Sequence, residues 1–455
     1  METLGAQDAS FLFLETPRNP MHVGSVMIFE NDPPPFDDLV AHMATKLPLV
    51  PRYRQKVRFV PLRLSRPVWI DDPDFRLEYH LRHTALPKPG GERELLNLAS
   101  RIFSQMLDRS KPLWESWLVE GLEHGRWAVI NKVHHAMVDG VSGMDLTATI
   151  LSLTPEIPAF EPPEPWTPEP EPSGWRLGTT LAAKQPADIA RAIASGARHP
   201  GRFIEGATNA LRGVSVLAPL LRPHDTSLTG PTGSHRRFTW AHASLDDVKA
   251  IRRAAGGTVN DVVLAAISGG FRELLLSRGE AIEGTSIRSM VPVSVRSEQE
   301  KDTYNNRVST LFVDLPVGIA DPLERLAHIH EQMEKFKKSG RAVAADTLVG
   351  LTGFAPPLLL DMAGRLIAHS PVATFDTVTT NIPGPQFPLY LLGRPMREIV
   401  PFVPINARLR TTVGIFSYNG GMTFGINSDY DTVPDVDVLA AGIEGGVLEL
   451  LKAAP

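Results

Sequence analysis

The sequence predicts an α/β protein of two domains. Three observations carry that expectation: a length of 455 residues, strand-like and helix-like patterns alternating in both halves, and a proline- and glutamate-rich stretch between them. A chain this long exceeds what one hydrophobic core ordinarily organises, since cores stop growing at roughly 250–300 residues. Strands alternating with helices are the pattern of α/β layering. The dividing stretch, 155–172, includes Glu161-Pro162-Pro163-Glu164-Pro165-Trp166-Thr167-Pro168-Glu169-Pro170-Glu171-Pro172. Proline at this density removes backbone donors and favours an extended, stiff, solvated linker. The expected division is therefore 1–153 for the N-terminal domain, 154–234 for the linker and a helical crossover, and 235–455 for the C-terminal domain. Within the crossover an Ala/Arg-rich stretch, about 186–221, has helical spacing, and 223–234 is punctuated by Gly, Pro and Ser.

In the first half, Trp127, Val129, Asn131 and Val133 alternate with Ala128, Ile130 and Lys132, bounded by Gly125 and by Asp139-Gly140. That alternation predicts a buried strand. After Ser142-Gly143, Met144, Leu146, Ile150 and Leu151 return at helical spacing, so His134-His135 falls where a strand ends and a helix is about to begin. Strand-end loops of this kind are where a rigid scaffold presents chemistry. In the second half, Ser244-Leu245-Asp246-Asp247 predicts a capped helix running to about Ala255. Val259, Val263, Ile267, Phe271 and Leu274 predict one apolar face of a second helix that begins near Asn260-Asp261. Further strands are expected at 289–293, 308–315, 411–416 and 422–426.

Composition narrows the function. Hydrophobic content of 43% with 21% charged residues is that of a soluble globular protein. With 46 basic against 51 acidic side chains there is no basic excess, so nucleic acid is not an expected partner. The absence of cysteine excludes disulfides, thiolate metal sites and a cysteine acyl-enzyme. No basic region followed by an apolar run opens the chain, and no apolar stretch approaches the roughly 20 residues needed to span a bilayer. The nearest, 354–368, is broken by Pro356, Pro357, Asp361 and Arg365. A cytoplasmic protein is expected.

The motif His134-His135-Ala136-Met137-Val138-Asp139-Gly140 is the strongest chemical signal. Transfer of an acyl group to a hydroxyl needs a base for the alcohol proton, donors for the oxyanion, and exclusion of water. Histidine suits the first role, with an unperturbed pKa of roughly 6.5. Taken alone, a histidine is more often a satisfied core or surface residue. His134, His135 and Asp139 are also metal-ligand types, but adjacent strand residues point to opposite faces and no further cluster stands nearby, so no metal is expected. His134 and Asp139 fit His-x4-Asp without the asparagine that usually precedes it (Val133 stands there), whereas His135 and Asp139 fit His-x3-Asp-Gly. Gly-x-Ser-x-Gly elbows, phosphate loops and dinucleotide fingerprints are missing.

Other blocks accompany the motif in order: Asp8-Ala9-Ser10-Phe11-Leu12, Pro20-Met21-His22-Val23-Gly24, Pro67-Val68-Trp69-Ile70-Asp71-Asp72-Pro73-Asp74-Phe75 and Pro112-Leu113-Trp114-Glu115. Beyond the linker come Asn260-Asp261-Val262-Val263-Leu264, Val291-Pro292-Val293-Ser294-Val295-Arg296 and Asn381-Ile382-Pro383-Gly384-Pro385. With these the chain resembles, over nearly its whole length, the bacterial wax ester synthase/diacylglycerol acyltransferase family of the coenzyme A-dependent acyltransferase superfamily. The resemblance implies two chloramphenicol-acetyltransferase-like domains, each a mixed sheet with flanking helices, with the active site in a tunnel at their interface. It implies acyl-CoA as co-substrate with no bound cofactor, and a lipid alcohol as acceptor: diacylglycerol giving triacylglycerol, or a fatty alcohol giving wax ester.

It also implies roles for single residues. His135 is the general base, His134 supports it, and Gly140 completes the motif. Asp139 is structural and orienting, with Arg296 as its ionic partner. Thr379, Thr380 and Asn381 are candidate oxyanion donors, set against the plainer reading that 381–385 only shapes a turn. Asn260 and Asp261 are candidates near the substrate tunnel, although both are good helix caps. Pro112-Leu113-Trp114 reads as packing. Direct attack in a ternary complex, without an acyl-enzyme, is the implied mechanism. Two rivals stand beside it: a condensation-type enzyme fed by a carrier protein, and a catalytically silent lipid-binding protein. Because both substrates partition into lipid, contact with the inner membrane or lipid droplets is a further expectation, with 354–368 as the contact. A two-domain chain supplies its own interface, which leaves a monomer open.

Overall fold

The computed structural model describes residues 2–61, 65–138, 149–157, 165–172, 226–294, 308–339, 375–406 and 408–455. In the first half the elements are β1 (Glu2–Thr3), α1 (Ala6–Leu14), β2 (His22–Phe29), α2 (Phe36–Lys46), β3 (Gln55–Arg58), β4 (Val68–Asp71), α3 (Leu77–His80), β5 (Leu81–Ala85), α4 (Glu92–Ser104), β6 (Trp114–Leu122) and β7 (Arg126–His134). The second half contributes β8 (Arg236–Ser244), α5 (Leu245–Ala255), α6 (Val259–Ser277), β9 (Ile287–Ser294), β10 (Val308–Leu315) and α7 (Pro322–Ser339). It ends with β11 (Thr377–Pro383), β12 (Tyr390–Leu391), β13 (Arg394–Phe402), β14 (Thr411–Tyr418), β15 (Gly421–Asp429) and α8 (Val436–Ala453).

Two six-stranded mixed sheets organise these elements, in the orders β12-β13-β2-β7-β6-β5 and β10-β9-β11-β14-β15-β8, beside a small β1-β4-β3 sheet. The first is antiparallel except for β5 along β6; in the second, β11 runs parallel to both of its neighbours. The strand expected around 127–133 is β7, and it is buried on both faces. Trp127 and Val129 enter one core with Phe29 and Trp114, while Ala128 and Ile130 enter another with Phe103 and Val119. Lys132 is 1% exposed, with its Nζ donating to the carbonyls of Ile102 and Gln105 at 3.0 and 2.7 Å. A cation at that end of α4 satisfies carbonyls the helix leaves unpaired.

The first sheet is not built from the first half alone. β13 lies within 235–455, yet it pairs antiparallel with β2, with Phe402 opposite Gly24. It is also the seam between the sheets. The carbonyl of Ile399 accepts from Thr423 Oγ1 at 2.6 Å, and the carbonyl of Val403, just beyond β13, accepts from Thr412 Oγ1 and Asn427 Nδ2 at 2.8 and 2.9 Å. Part of the proline-rich stretch is anchored rather than free: Trp166 lies under the Arg54 guanidinium at 4.6 Å, and the Glu169 N–H donates to Asp71 Oδ2 at 3.0 Å. The helical spacing expected at 186–221, and the start of the helix after Ser142-Gly143, fall outside the described residues.

α5 starts and stops as expected, with Ser244 Oγ accepting from the Asp247 N–H. α6 departs from expectation in two ways. Its cap is Thr258, whose Oγ1 accepts from the Asp261 N–H at 3.2 Å while Asp261 Oδ2 accepts from the Thr258 N–H at 2.8 Å. The helix is also buried all round from Asp261 to Phe271, not on one face, because it lies between the sheet and α8. A Cβ at Gly446 would come within 2.9 Å of the Ala266 carbonyl oxygen, so small residues set the spacing of α6 and α8. Loss of the cap through Thr258→Ala is expected to cost about 1 kcal/mol, read as a lower denaturation midpoint at unchanged slope.

Candidate active site

β7 ends at His134, and His135–Met137 turn as one short 3-10 helix. The two histidines therefore part, as adjacent residues at a strand end should. His134 is fully buried; its N–H donates to the Leu113 carbonyl at 2.9 Å and its Nδ1 accepts from the Ala136 N–H at 3.0 Å. A neutral imidazole with Nδ1 accepting carries its proton on Nε2. His135 is half-buried, and its N–H donates to the Met21 carbonyl at 2.8 Å. Its ring stacks on Phe11 of α1, with centroids 4.0 Å apart.

Burial pulls the pKa of His135 down to about 4, opposed by a hydrogen bond to its own main chain and assisted by His134. At neutral pH the ring is an unprotonated base. A base acts only while neutral, so with this ring as the base, activity is expected to be lost as pH falls through about 4, not through the ordinary histidine value of 6.5. kcat/KM is expected to stay level from pH 8 down to about 5; an acid limb between 6 and 7 in a folded sample would contradict this. Stability changes over the same range. His22, His80 and His135 are all depressed, chiefly by burial, so the unfolded chain takes up protons first and stability declines from about pH 6.5 downward. Circular dichroism at each pH separates the two losses.

The other candidates divide into four groups. Asn381 Nδ2 on β11 donates weakly to Asn260 Oδ1 on α6, at 3.4 Å, beside a cavity of about 490 Å³ that Arg252, Thr258, Ser417 and Met422 also line. Asp261 turns away into the cap, where its Oδ2 also lies 2.9 Å from His330 Nδ1. Thr379 is buried and its Oγ1 accepts from Ser289 Oγ at 2.8 Å; Thr380 lies on the opposite face of β11. Among the described residues no hydrogen bond joins His135 to Thr379, Thr380 or Asn381. Asp139, Gly140 and Arg296 fall outside the described residues, as does 354–368. Among the described residues no group of three His, Cys, Asp or Glu is placed to hold a metal, and no helix is long and apolar enough to cross a membrane.

Sequence reasoning did not single out Phe11, Glu15, Met21, Leu113 and Arg109 as a group, although Phe11, Met21 and Leu113 lie in the blocks that carry the resemblance. All five contact the histidine turn or its neighbours. No local pattern marks a buried carboxylate such as Glu15.

Two six-stranded mixed sheets with flanking helices give the chain the two-domain fold of condensation domains. The first condensation domain of the CDA synthetase shares this fold, with a TM-score of 0.57 at 14% identity over 100% of this chain and 97% of that one. The family description "Wax ester synthase/diacylglycerol acyltransferase catalytic domain" matches residues 4–263, and "WS/DGAT C-terminal domain" matches residues 304–451. The chain belongs to the wax ester synthase/diacylglycerol acyltransferase family, and is an acyltransferase. It is 35% identical over 454 residues to "Probable diacyglycerol O-acyltransferase tgs1" of Mycobacterium tuberculosis (strain ATCC 25618 / H37Rv), covering 99% of this chain and 96% of the relative. The wax ester synthase/diacylglycerol acyltransferase from Marinobacter aquaeolei VT8 superposes with a TM-score of 0.69 at 29% identity, over 99% of each chain.

Proposed function

We propose that this chain moves a long-chain acyl group from acyl-CoA to the hydroxyl of a lipid alcohol, diacylglycerol or a fatty alcohol, with His135 as general base. The observation that carries the reading is an imidazole kept neutral by burial and stacked in place at the end of β7. In the proposed step His135 takes the alcohol proton as the oxygen attacks the thioester carbonyl. The tetrahedral oxyanion then collapses, the C–S bond breaks, and the departing thiolate receives the proton from His135. Thr379 is the proposed oxyanion donor, since its hydroxyl accepts from Ser289 and keeps its own proton to donate. Asn260 and Asn381 are proposed to hold part of a substrate in the cavity they line. An ion pair of Asp139 with Arg296, both outside the described residues, is proposed as the orienting element of the motif. Contact with a membrane or lipid-droplet surface belongs to the same proposal, because both substrates partition into lipid.

The test is coenzyme A release by the purified protein from palmitoyl-CoA, with hexadecanol or diacylglycerol added. Release that depends on an acceptor supports acyl transfer and ranks the two alcohols. No release with either, from a folded sample, would favour the carrier-dependent or silent lipid-binding alternatives.

A further inference from the structure

One turn of helix separates Phe11 from Glu15, and each reaches one of the two histidines. Phe11 stacks on His135. Glu15, the residue that ends α1, is 7% exposed and sits behind His134. Its Oε1 accepts from the Met21 N–H at 2.9 Å, and its Oε2 accepts from Arg109 Nε and Nη2 at 2.9 and 2.7 Å. The same Oε2 lies 3.5 Å from His134 Nε2, a nitrogen that is buried without a hydrogen-bond partner and carries the ring proton. Burial opposes ionisation of Glu15, yet His134, the Met21 N–H and Arg109 together hold its carboxyl below its ordinary value.

This carboxylate is tied to both sides of the turn. On one side it faces the proton of His134. On the other it fixes Met21, whose carbonyl receives the His135 N–H at 2.8 Å. Arg109 closes the arrangement by donating from Nη2 to the Leu12 carbonyl at 2.9 Å, so the end of α1 cannot swing away without breaking it. A free acidic side chain at a helix end would point to water; this one is buried with three donors around it.

We propose that the end of α1 is the positioning element of the histidine pair, with Glu15 acting through His134 and Met21, and Phe11 holding the plane of the His135 ring. The proposal rests on His135 being the base. Neither residue touches substrate in this assignment; both set the angle at which the base nitrogen meets the alcohol. A base displaced by about 1 Å can lose on the order of 100-fold in rate.

The test compares Glu15→Gln, His134→Asn, the double variant and Phe11→Leu with the parent in the acceptor-dependent assay. Gln keeps length and can still accept from Met21, but it loses the charge facing Arg109 and His134. Glu15→Gln is expected to lower kcat at least about tenfold with KM for acyl-CoA within about twofold. The double variant is expected to be no slower than the slower single one, because Glu15 acts through His134. A folded Glu15→Gln with kcat within about twofold of the parent, or losses that multiply in the double variant, overturns the proposal. Should Glu15→Gln fail to fold, the half-buried Phe11→Leu decides: kcat lower by about threefold or more at constant KM supports positioning, and unchanged kcat overturns it. If His135→Ala keeps activity, the reading of the base itself fails; if His135→Ala is dead while these variants run normally, only the present inference fails.

Discussion

Replacing His135 by alanine is expected to lower acceptor-dependent acyl transfer by about 10²–10⁴-fold, the range by which a positioned base speeds such reactions. The loss should fall on kcat. The ring is half-buried beside Phe11 and, among the described residues, no ion pair holds it, while the His135 main chain, which donates to Met21, is unaffected by the change. The variant should therefore fold, with a circular dichroism spectrum and melting temperature close to the parent. His134→Ala would differ in kind: it empties a fully buried site and leaves Glu15 facing a void, so stability should fall with activity. Activity surviving in His135→Ala would remove the general base from the mechanism and leave acyl transfer to be explained by binding and oxyanion donors alone.

The largest expected effect on stability comes from Gly425→Val. Gly425 sits on β15 between Gly414 of β14 and Trp240 of β8, and faces β13 across the seam of the two sheets. A Cβ there would land on the carbonyl oxygen of Pro401, and its next neighbour would be the Pro401 carbonyl carbon at 2.9 Å. Both are main-chain atoms of a strand already held by Thr423, so they cannot rotate aside as a side-chain end would. Valine adds two further methyls. Overpacking of this kind costs about 3 kcal/mol or more when backbone must shift, and the clash would also loosen the hydrogen bonds of Thr412 and Asn427 to the Val403 carbonyl. The measurement is the apparent melting temperature with soluble yield. A melting temperature equal to the parent's would mean that the sheets do not approach main chain to main chain at this point.

What could be read in the sequence follows from how local each signal is. Ser244 with Asp246 and Asp247 after it gives the start of α5, and the alternation of Trp127, Val129, Asn131 and Val133 gives β7, because caps and period-two patterns are written in neighbouring residues. The place of the histidine pair at a strand end was legible for the same reason. α6 carried a signal in plain view, the unbroken apolar run from Val262 to Ile267, which marks a helix buried on every side. Lys132 in the middle of β7 and Glu15 after an apolar helix look like surface residues in sequence; only the carbonyls and donors brought to them by α4, Arg109 and Met21 make them interior. β13 was hidden more deeply, since its partner β2 lies far back in the chain and nothing local announces such a pairing.

That pairing bears on the order in which the molecule can be made. When synthesis has reached residue 300, β2 has β7 on one side and nothing on the other, because Arg394–Phe402 do not yet exist. Until they emerge, β2 is an open strand edge, a template for pairing with another chain. Vectorial folding, in which each domain closes as it leaves the ribosome, is therefore denied to the first sheet. Its completion is a late event, delayed until almost nine-tenths of the 455 residues have been translated, and so the nascent chain depends on its own C-terminal portion, or on a chaperone, to be shielded from aggregation.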